Sequence, residues 1–542
     1  MMVKCTPPTI IFLLCFLCNQ SLCTTNSNVA ACSAKDRQLL LHFKKTIVDP
    51  SHLLSSWSTE EDCCRWIGVQ CHNTMGRVTK LNLTRSSIDP NYTAEPLTGE
   101  INLCVLELEF LNYLDLSDNI FTSIHYSEHD GQRNQNLSQV TTPHSSDLRH
   151  LDCSYNLYLQ MDNLRWLSLV PSLKYLDLSF SNLSIVTNWL ESITTMLPAV
   201  TELRLSFCEL RHQIPSIQDA NFTSLTVLDL SYNYYLQMDN LRWLSHFPSL
   251  KNLDLSDIDL SNVTDWFQSL ATMLPSVTEL RLSFCKLKHE IPSIQSANFT
   301  SLMVLDLSYN YYLQMDNLRW LSYFPFCDTI NGSVYFLAYL DISHNLLSGE
   351  LSDCWMKWQQ LSYLNLGGNN LTGKIPHSMN SLSLLKGLCL QRNNFYGYVP
   401  VSLQNCKNLV LLDLGENNLS GSIPSWIGQV TTVIRLRANQ FTGNIPSEIC
   451  QISSLIMLDL AENRLFGPIP QCLHNISFIS KESSFNPGLT AFSSYILYEY
   501  SVIVLNKRQE REYKENLQFM RLIDLSSNNL SRTILLELFG LS

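Results

Sequence analysis

Between Leu337 and Pro470 the apolar residues follow a rhythm that is neither the 3.6-residue stripe of a helix nor a plain alternation. Asn345, Asn369, Asn393, Asn417, Asn439 and Asn463 recur at 24 residues, with one step of 22. Around each Asn runs L-x-x-L-x-L-x-x-N-x-L-x-G-x-I-P. Leu361, Leu364, Leu366, Asn369, Leu371, Gly373, Ile375 and Pro376 show it whole, and Leu409, Leu412, Leu414, Asn417, Leu419, Gly421, Ile423 and Pro424 repeat it. The L-x-L segment predicts a short strand with alternate side chains pointing inward. Stacked coils then place these strands side by side, about 4.8 Å apart, as one parallel sheet. Where the chain turns away inside the core, an inward Asn supplies donors and an acceptor to backbone groups that water cannot reach. Gly lets the backbone bend after the turn, and Pro ends the segment where a further ladder bond is unwanted. A fixed period of this length predicts a solenoid with one continuous core.

Earlier coils are looser. Leu111, Leu114, Leu116 and Asn119 form one; Leu148, Leu151, Cys153 and Asn156 another; Leu225, Leu228, Leu230 and Asn233 a third. Cys208 and Cys285 take the Asn slot in two coils, where a thiol partly serves, and Ser181 and Ile258 in two more. Ile258 cannot hydrogen-bond, which predicts a locally weaker coil. A longer period overlies the first. Residues 148–224 and 225–301 match at an offset of 77, with MDNLRWLS beginning at Met161, Met238 and Met315 and TELRLSFC at Thr201 and Thr278. A three-coil block is duplicated as a unit, and its third copy stops near Pro325, which reads as a recombination or deletion junction.

Composition narrows the partners. Of 542 residues, 45% are hydrophobic and 15% charged, with a net charge of −12. An acidic chain without basic runs argues against nucleic acid and anionic membrane surfaces. Lys4 followed by the short apolar run Ile10 to Cys18 predicts a signal peptide over 1–23, with Ser21 and Cys23 suiting the cleavage site. That run is about half the length a membrane span needs, and Tyr495 to Leu505, the nearest later run, is interrupted by Glu499. The fourteen cysteines beyond the signal are available to pair in an oxidising compartment. Candidate glycosylation sequons fall at Asn82, Asn91, Asn136, Asn182, Asn221, Asn262, Asn298, Asn331, Asn370, Asn418, Asn475 and Asn529.

An open stack needs a cap at each end. At the front, Cys32 precedes a helical run from Asp36 to Lys45, then Trp57, Cys63, Cys64, Trp66 and Cys71. Neighbouring cysteines do not readily bond each other, so the pairing without a long crossing is Cys32–Cys63 and Cys64–Cys71. These observations set the boundaries: a cap over 24–76, repeats over 77–477, a non-repeat segment over 478–518 and a last, incomplete repeat over 519–542.

The cap text DRQLLLHFKK…LLSSW…DCCRWIGVQC and the repeat text NNLTGKIP, NNLSGSIP and NQFTGNIP resemble plant leucine-rich-repeat receptor-like proteins, cell-surface immune and developmental receptors without a kinase domain. The resemblance runs over almost the whole chain. It implies an α/β solenoid, a curved leucine-rich-repeat superhelix with a parallel sheet on its concave face and a disulfide-stapled N-terminal cap. Family members carry a late island, about four more coils, a cysteine cap, an acidic stretch, one membrane helix and a short tail. Residues 478–518 look like that island. Tyr498 and Lys507 match its Tyr-x8-Lys-Gly motif, with Arg508 in place of the Gly. In the family this region is linked to pairing with a co-receptor kinase. Ile523, Leu525, Asn528 and Leu530 form one more coil, with Arg532 where the Gly belongs, and the chain ends at Ser542 without a cap or membrane helix. The expectation is a C-terminally truncated member.

No catalytic or phosphate-binding motif occurs in the chain: H-E-x-x-H, G-x-S-x-G and the phosphate-binding Gly loop are all missing. The expectation is a binding protein without enzymatic activity, cofactor or metal. Ligand contacts fall on the outward strand positions, among them Glu202, Arg204, Glu279, Arg281, Arg435 and Arg437. An aromatic series follows the strands: Tyr155, Phe180, Phe207, Tyr232, Phe284 and Tyr309, interrupted by Asp257. Those rings are either ligand anchors or a structural stripe packed from coil to coil. The preferred reading is an extracellular ectodomain that recognises a peptide, protein or carbohydrate and signals through a partner kinase at the plasma membrane. Two rivals stand beside it: a secreted inhibitor resembling polygalacturonase inhibitors, which the island argues against, and a non-functional receptor fragment.

Overall fold

The computed structural model describes residues 31–125, 147–214, 222–288, 301–316, 336–353, 355–452, 455–471, 473, 502–506, 509–513 and 522–531. The signal segment, the junction near Pro325, Tyr498, Lys507, Arg508, Arg532 and the sequons at Asn136, Asn221, Asn298, Asn331 and Asn475 lie outside them. Two compact units divide the chain, one built from residues up to Gln160 with Trp166–Leu173, the other from Met161–Arg165 with Lys174 onward.

The first unit opens with the helix Ala34–Lys44, which buries Leu39, Leu40 and Phe43. Asp36 is buried beside them and takes the Arg77 guanidinium at 3.1 Å and the Val78 N–H at 2.9 Å, so neither charge is left alone in the core. Disulfides join Cys32 to Cys63 and Cys64 to Cys71, with Cα atoms 5.5 and 5.4 Å apart. Trp57 and Trp66 stack at 5.4 Å, and the Trp57 indole donates to the Ile67 carbonyl. Val69–Cys71 runs antiparallel to Val78–Asn82, and from there the parallel ladder begins, Leu81 pairing Leu114 and Leu114 pairing Leu151.

In the second unit, thirteen strands among the described residues pair in parallel from Tyr175–Asp177 to Leu522–Asp524, each three residues long, with a buried Leu or Ile at the centre of every strand but the last, whose central Ile523 is half-buried. The duplication junction does not break the ladder, because Leu305 pairs directly with Leu340. The late non-repeat segment does not break it either. Leu458 pairs with Ile523 across it, and Val502–Asn506 and Gln509–Tyr513 form an antiparallel hairpin.

Each ladder Asn ties its coil to the one before. The Asn417 amide donates to the carbonyls of Leu390 (2.9 Å), Leu414 (3.2 Å) and Gly415 (3.1 Å), while its oxygen accepts the Phe395 N–H at 3.0 Å. Asn369, Asn393, Asn439 and Asn463 repeat the arrangement. In the thiol coils, Cys208 donates to Leu178 and Cys285 to Leu255, both at 3.1 Å. At Ile258 the side chain contributes nothing polar, and the Leu255 carbonyl takes the Ile258 N–H itself.

Past the Asn, the N-x-L-x-G segments pair into a second parallel ladder from Leu346–Glu350 through Asn418–Ser422 to Asn529–Ser531. Its glycines are required. Gly421 sits at φ 86°, and a Cβ there would meet the Tyr398 ring at 2.2 Å. Pro376, Pro400, Pro424 and Pro446 then cap short 3-10 turns that cover the core.

Candidate ligand-binding face

Two rows of residues run across the coils, one just after the strands and one on their last residues. The first is set by backbone. The residue before each ladder slot is left-handed: φ lies between 51° and 65° at Phe180, Phe207, Tyr232, Asp257, Phe284, Tyr309, His344, Gly368, Arg392, Glu416, Ala438 and Glu462. This conformation aims the N–H at the next coil, as in Phe207 to Ser231 (3.0 Å), Asp257 to Ser283 (2.8 Å) and Glu416 to Arg437 (2.8 Å). An L-residue gives up about 1–2 kcal/mol to sit there, which the inter-coil bond helps offset.

The second row is acidic. Asp177, Asp229, Asp254, Asp306, Asp341, Asp413 and Asp459 each accept the N–H two residues on, at 2.9 to 3.2 Å, and so shape the turn that follows the strand. Burial pushes the carboxyls of Asp254 and Asp341 up to about 7, each helped by an acidic neighbour, Asp229 and Asp306 respectively. Sequence reasoning overlooked this row. Its signal was available, an Asp two residues before Ser or Gly in coil after coil.

The expected contact residues separate into three groups. Phe180 and Phe207 stack at 4.6 Å, Phe207 and Tyr232 at 4.3 Å, and Phe284 and Tyr309 at 4.3 Å, with the row continued by His344 at 4.2 Å from Tyr309. These rings pack from coil to coil, yet Tyr232 and Phe284 keep 37% and 38% of their surface exposed. The row is a structural stripe and an accessible surface at once. Glu202 and Arg204 both point outward, more than a third exposed, in a loose 3.6 Å pair. Arg281 lies over the Tyr339 ring at 5.7 Å.

Arg435 and Arg437 depart from expectation. Arg435 is buried, held by Asp413 (3.2 Å), Glu416 (2.8 Å) and Asp459 (3.5 Å), and Arg437 pairs with Asp459 and Glu462. Against burial, which pushes it up, the Arg435 and Arg392 guanidinia hold the Glu416 carboxyl below its ordinary range. These arginines knit neighbouring coils and are not available to a ligand.

The cysteines are also corrected. Cys104, Cys208, Cys285, Cys389 and Cys406 are buried thiols and not staples, although Cys450 is disulfide-bonded. Burial raises Cys104 to about 12 and Cys406 to about 11, so they are poor nucleophiles. Among the described sequons, Asn91, Asn262, Asn370, Asn418 and Asn529 are exposed. Asn82 and Asn182 are half-buried, and their side chains accept local bonds from Thr84 and Ser184. No described helix is long and apolar enough to cross a membrane.

Comparison with known proteins agrees with this architecture. The leucine rich repeat N-terminal domain family matches residues 33–72, and the Leucine Rich Repeat family matches residues 360–382 and 408–430. Receptor-like protein EIX1 of Solanum lycopersicum is 36% identical over 261 residues, covering 44% of this chain and 25% of that protein. Receptor-like protein EIX2 of the same plant is 28% identical over 345 residues, covering 60% of this chain and 32% of its own length. The chain thus spans about a quarter to a third of the curated relatives it matches. The fold is shared with the Arabidopsis receptor kinase HAESA, solved in complex with the peptide hormone IDA and the co-receptor SERK1. That likeness has a TM-score of 0.50 at 23% identity over 82% of this chain and 80% of that one. Cap, repeat and relatives together show a leucine-rich-repeat chain that is similar to plant receptor-like proteins.

Proposed function

We propose that this chain is an extracellular ligand-recognition ectodomain, binding a peptide, protein or carbohydrate on the outward side of the strand ladder and signalling through a partner kinase. One observation carries the reading. Inward positions repeat Leu or Ile, with Asn, a thiol or Ser at most ladder slots, whereas outward groups on and just after the strands differ between coils, among them Glu202, Arg204, Arg281 and the part-exposed rings of Tyr232 and Phe284. A rigid backbone with variable projecting groups is what recognition across a broad surface requires. The thiols are buried and raised, and the acids that end the strands hold the turns, so the polar groups of the ladder have structural work in place of catalysis. Segment 478–518 is proposed as the island that meets a co-receptor, with Tyr498 and Lys507 as its contacts, and the exposed sequons as glycan sites.

The test is secretion of residues 24–542 from plant cells, followed by capture of labelled apoplastic peptides and cell-wall fragments. We expect a glycosylated monomer whose captured ligand is lost in a Glu202→Lys, Arg204→Glu double variant. Intracellular retention, or capture indifferent to that variant and to alanine at Tyr232 and Phe284, would overturn the reading.

A further inference from the structure

The ring row is interrupted once. Phe180, Phe207 and Tyr232 form one stacked triad, and Phe284, Tyr309 and His344 form another. Between them stands the coil of Asp257, whose backbone is the same as its neighbours': φ is 64°, and its N–H reaches the Ser283 carbonyl at 2.8 Å. Only the side chain differs. Successive rings lie 4.2 to 4.6 Å apart, so Tyr232 and Phe284, two coils apart, stand about 9 Å apart across the Asp257 coil. A carboxylate is too short to fill that height. It forms the floor of a slot one planar group thick.

The duplication supplies an internal control. At the 77-residue offset, Asp257 corresponds to Phe180, Asp259 to Asn182 and Lys286 to Glu209. The two blocks keep their strands and turns and differ here, where one has a ring and the other an acid. Lys286, beside the slot, has its ammonium committed to Asp259 at 2.8 Å. Tyr234 adds a phenol at the rim, edge-on to Tyr232 at 6.5 Å and within the field of Asp257.

We infer that the slot between Tyr232 and Phe284, floored by Asp257, binds an arginine side chain of a peptide ligand. A guanidinium is flat, so it fills the missing place in the stack with a ring on each face, and its edge offers paired donors to the carboxylate. A lysine ammonium has the charge without the plane. A phenyl ring has the plane but covers the carboxylate without giving it a donor. The inference rests on the strand face being a ligand surface, and it names one group that the ligand presents.

The test is a titration of the secreted chain with acetyl-Gly-Arg-Gly-amide and its Lys and Phe counterparts, followed by ligand-observed NMR. The Arg peptide should bind at a dissociation constant on the order of millimolar and at least about fivefold more tightly than either counterpart. Asp257→Asn keeps the shape and should weaken it about tenfold. Asp257→Phe installs the ring that the sister block carries, is expected to fold, and should abolish binding. Equal affinity for Arg and Lys, tighter binding of Phe, or binding unchanged in Asp257→Phe would each overturn the inference. The broader reading fails separately. An apoplastic ligand captured equally well by Asp257→Phe refutes the slot and keeps the ligand surface, whereas Arg-peptide binding without any captured ligand keeps the slot and refutes the ectodomain reading.

Discussion

Coils 336–471 and coils 174–316 belong to one unit and one strand ladder, yet they are held together by different chemistry. In the later coils every ladder slot is Asn, from Asn345 to Asn463, and a second parallel ladder follows each turn. In the earlier coils the slot reads Ser181, Cys208, Asn233, Ile258, Cys285, Asn310, and only two of six offer the full set of amide bonds. Stacked rings run over this region, beside the Ser181, Cys208 and Cys285 slots as well as beside Asn233 and Asn310. The same backbone path is held by an unbroken row of buried amides in one region and by fewer amides with added stacking in the other.

The largest test of this contrast is Asn417→Leu. It removes four buried hydrogen bonds and leaves the Phe395 N–H without its acceptor, while the three carbonyls each keep a second donor in Asn393, Asn439 or the Arg392 N–H; the loss should be roughly 4 kcal/mol, read as accelerated amide exchange in the flanking coils. The same change at Cys208, already limited to its thiol bonds, should cost less than half as much; equal losses would erase the distinction between the regions. Next comes Arg435→Met. Removing the guanidinium leaves Asp413 and Asp459 buried without it, so about 3 kcal/mol should be lost, and urea midpoints of the two variants can be compared directly. Third is Phe207→Ala in the ring row. Two stacks disappear, for about 2 kcal/mol, and because the left-handed backbone remains, Phe207→Gly should recover part of it.

Acidity offers a shallower handle. With Asp254 and Asp341 raised to about 7, the folded chain binds more protons than the unfolded one between about pH 4 and 7. Their contribution to stability is therefore full at the acid end of that window and falls as pH rises through the folded value. Melting temperature followed against pH should decline towards neutrality, and Asp254→Asn with Asp341→Asn should flatten the slope. The smallest expected effect is a gain. Ala438 is left-handed at φ 51°, and Ala438→Gly should add up to about 1 kcal/mol; a loss would mean that strain is not what distinguishes this position.

Much of this was legible in the chain. The Asn ladder announces itself because each coil repeats it at one spacing, and the cysteines of the front cap allow few pairings without a long crossing. The fate of Arg435 was not legible. Its outward register is correct, but Asp413 and Asp459 are 22 and 24 residues away, and only the strand pairing reveals that they flank it. The ring series was half legible. Sequence gave its order, whereas stacking with retained exposure depends on a backbone angle that Phe and Tyr ordinarily avoid.

That angle has a consequence beyond stability. Across the second unit the left-handed position is filled by Phe, Tyr, Asp, His, Gly, Arg, Glu, Ala and Ser, while its N–H bonds the next coil in every case from Phe180 to Glu462. The fold asks for a conformation there and is nearly indifferent to identity. Such a site can drift or be selected one coil at a time without disturbing its neighbours, and a duplicated block arrives with spare copies to try. The substitution of Phe180 by its counterpart Asp257 is what that freedom looks like after one trial.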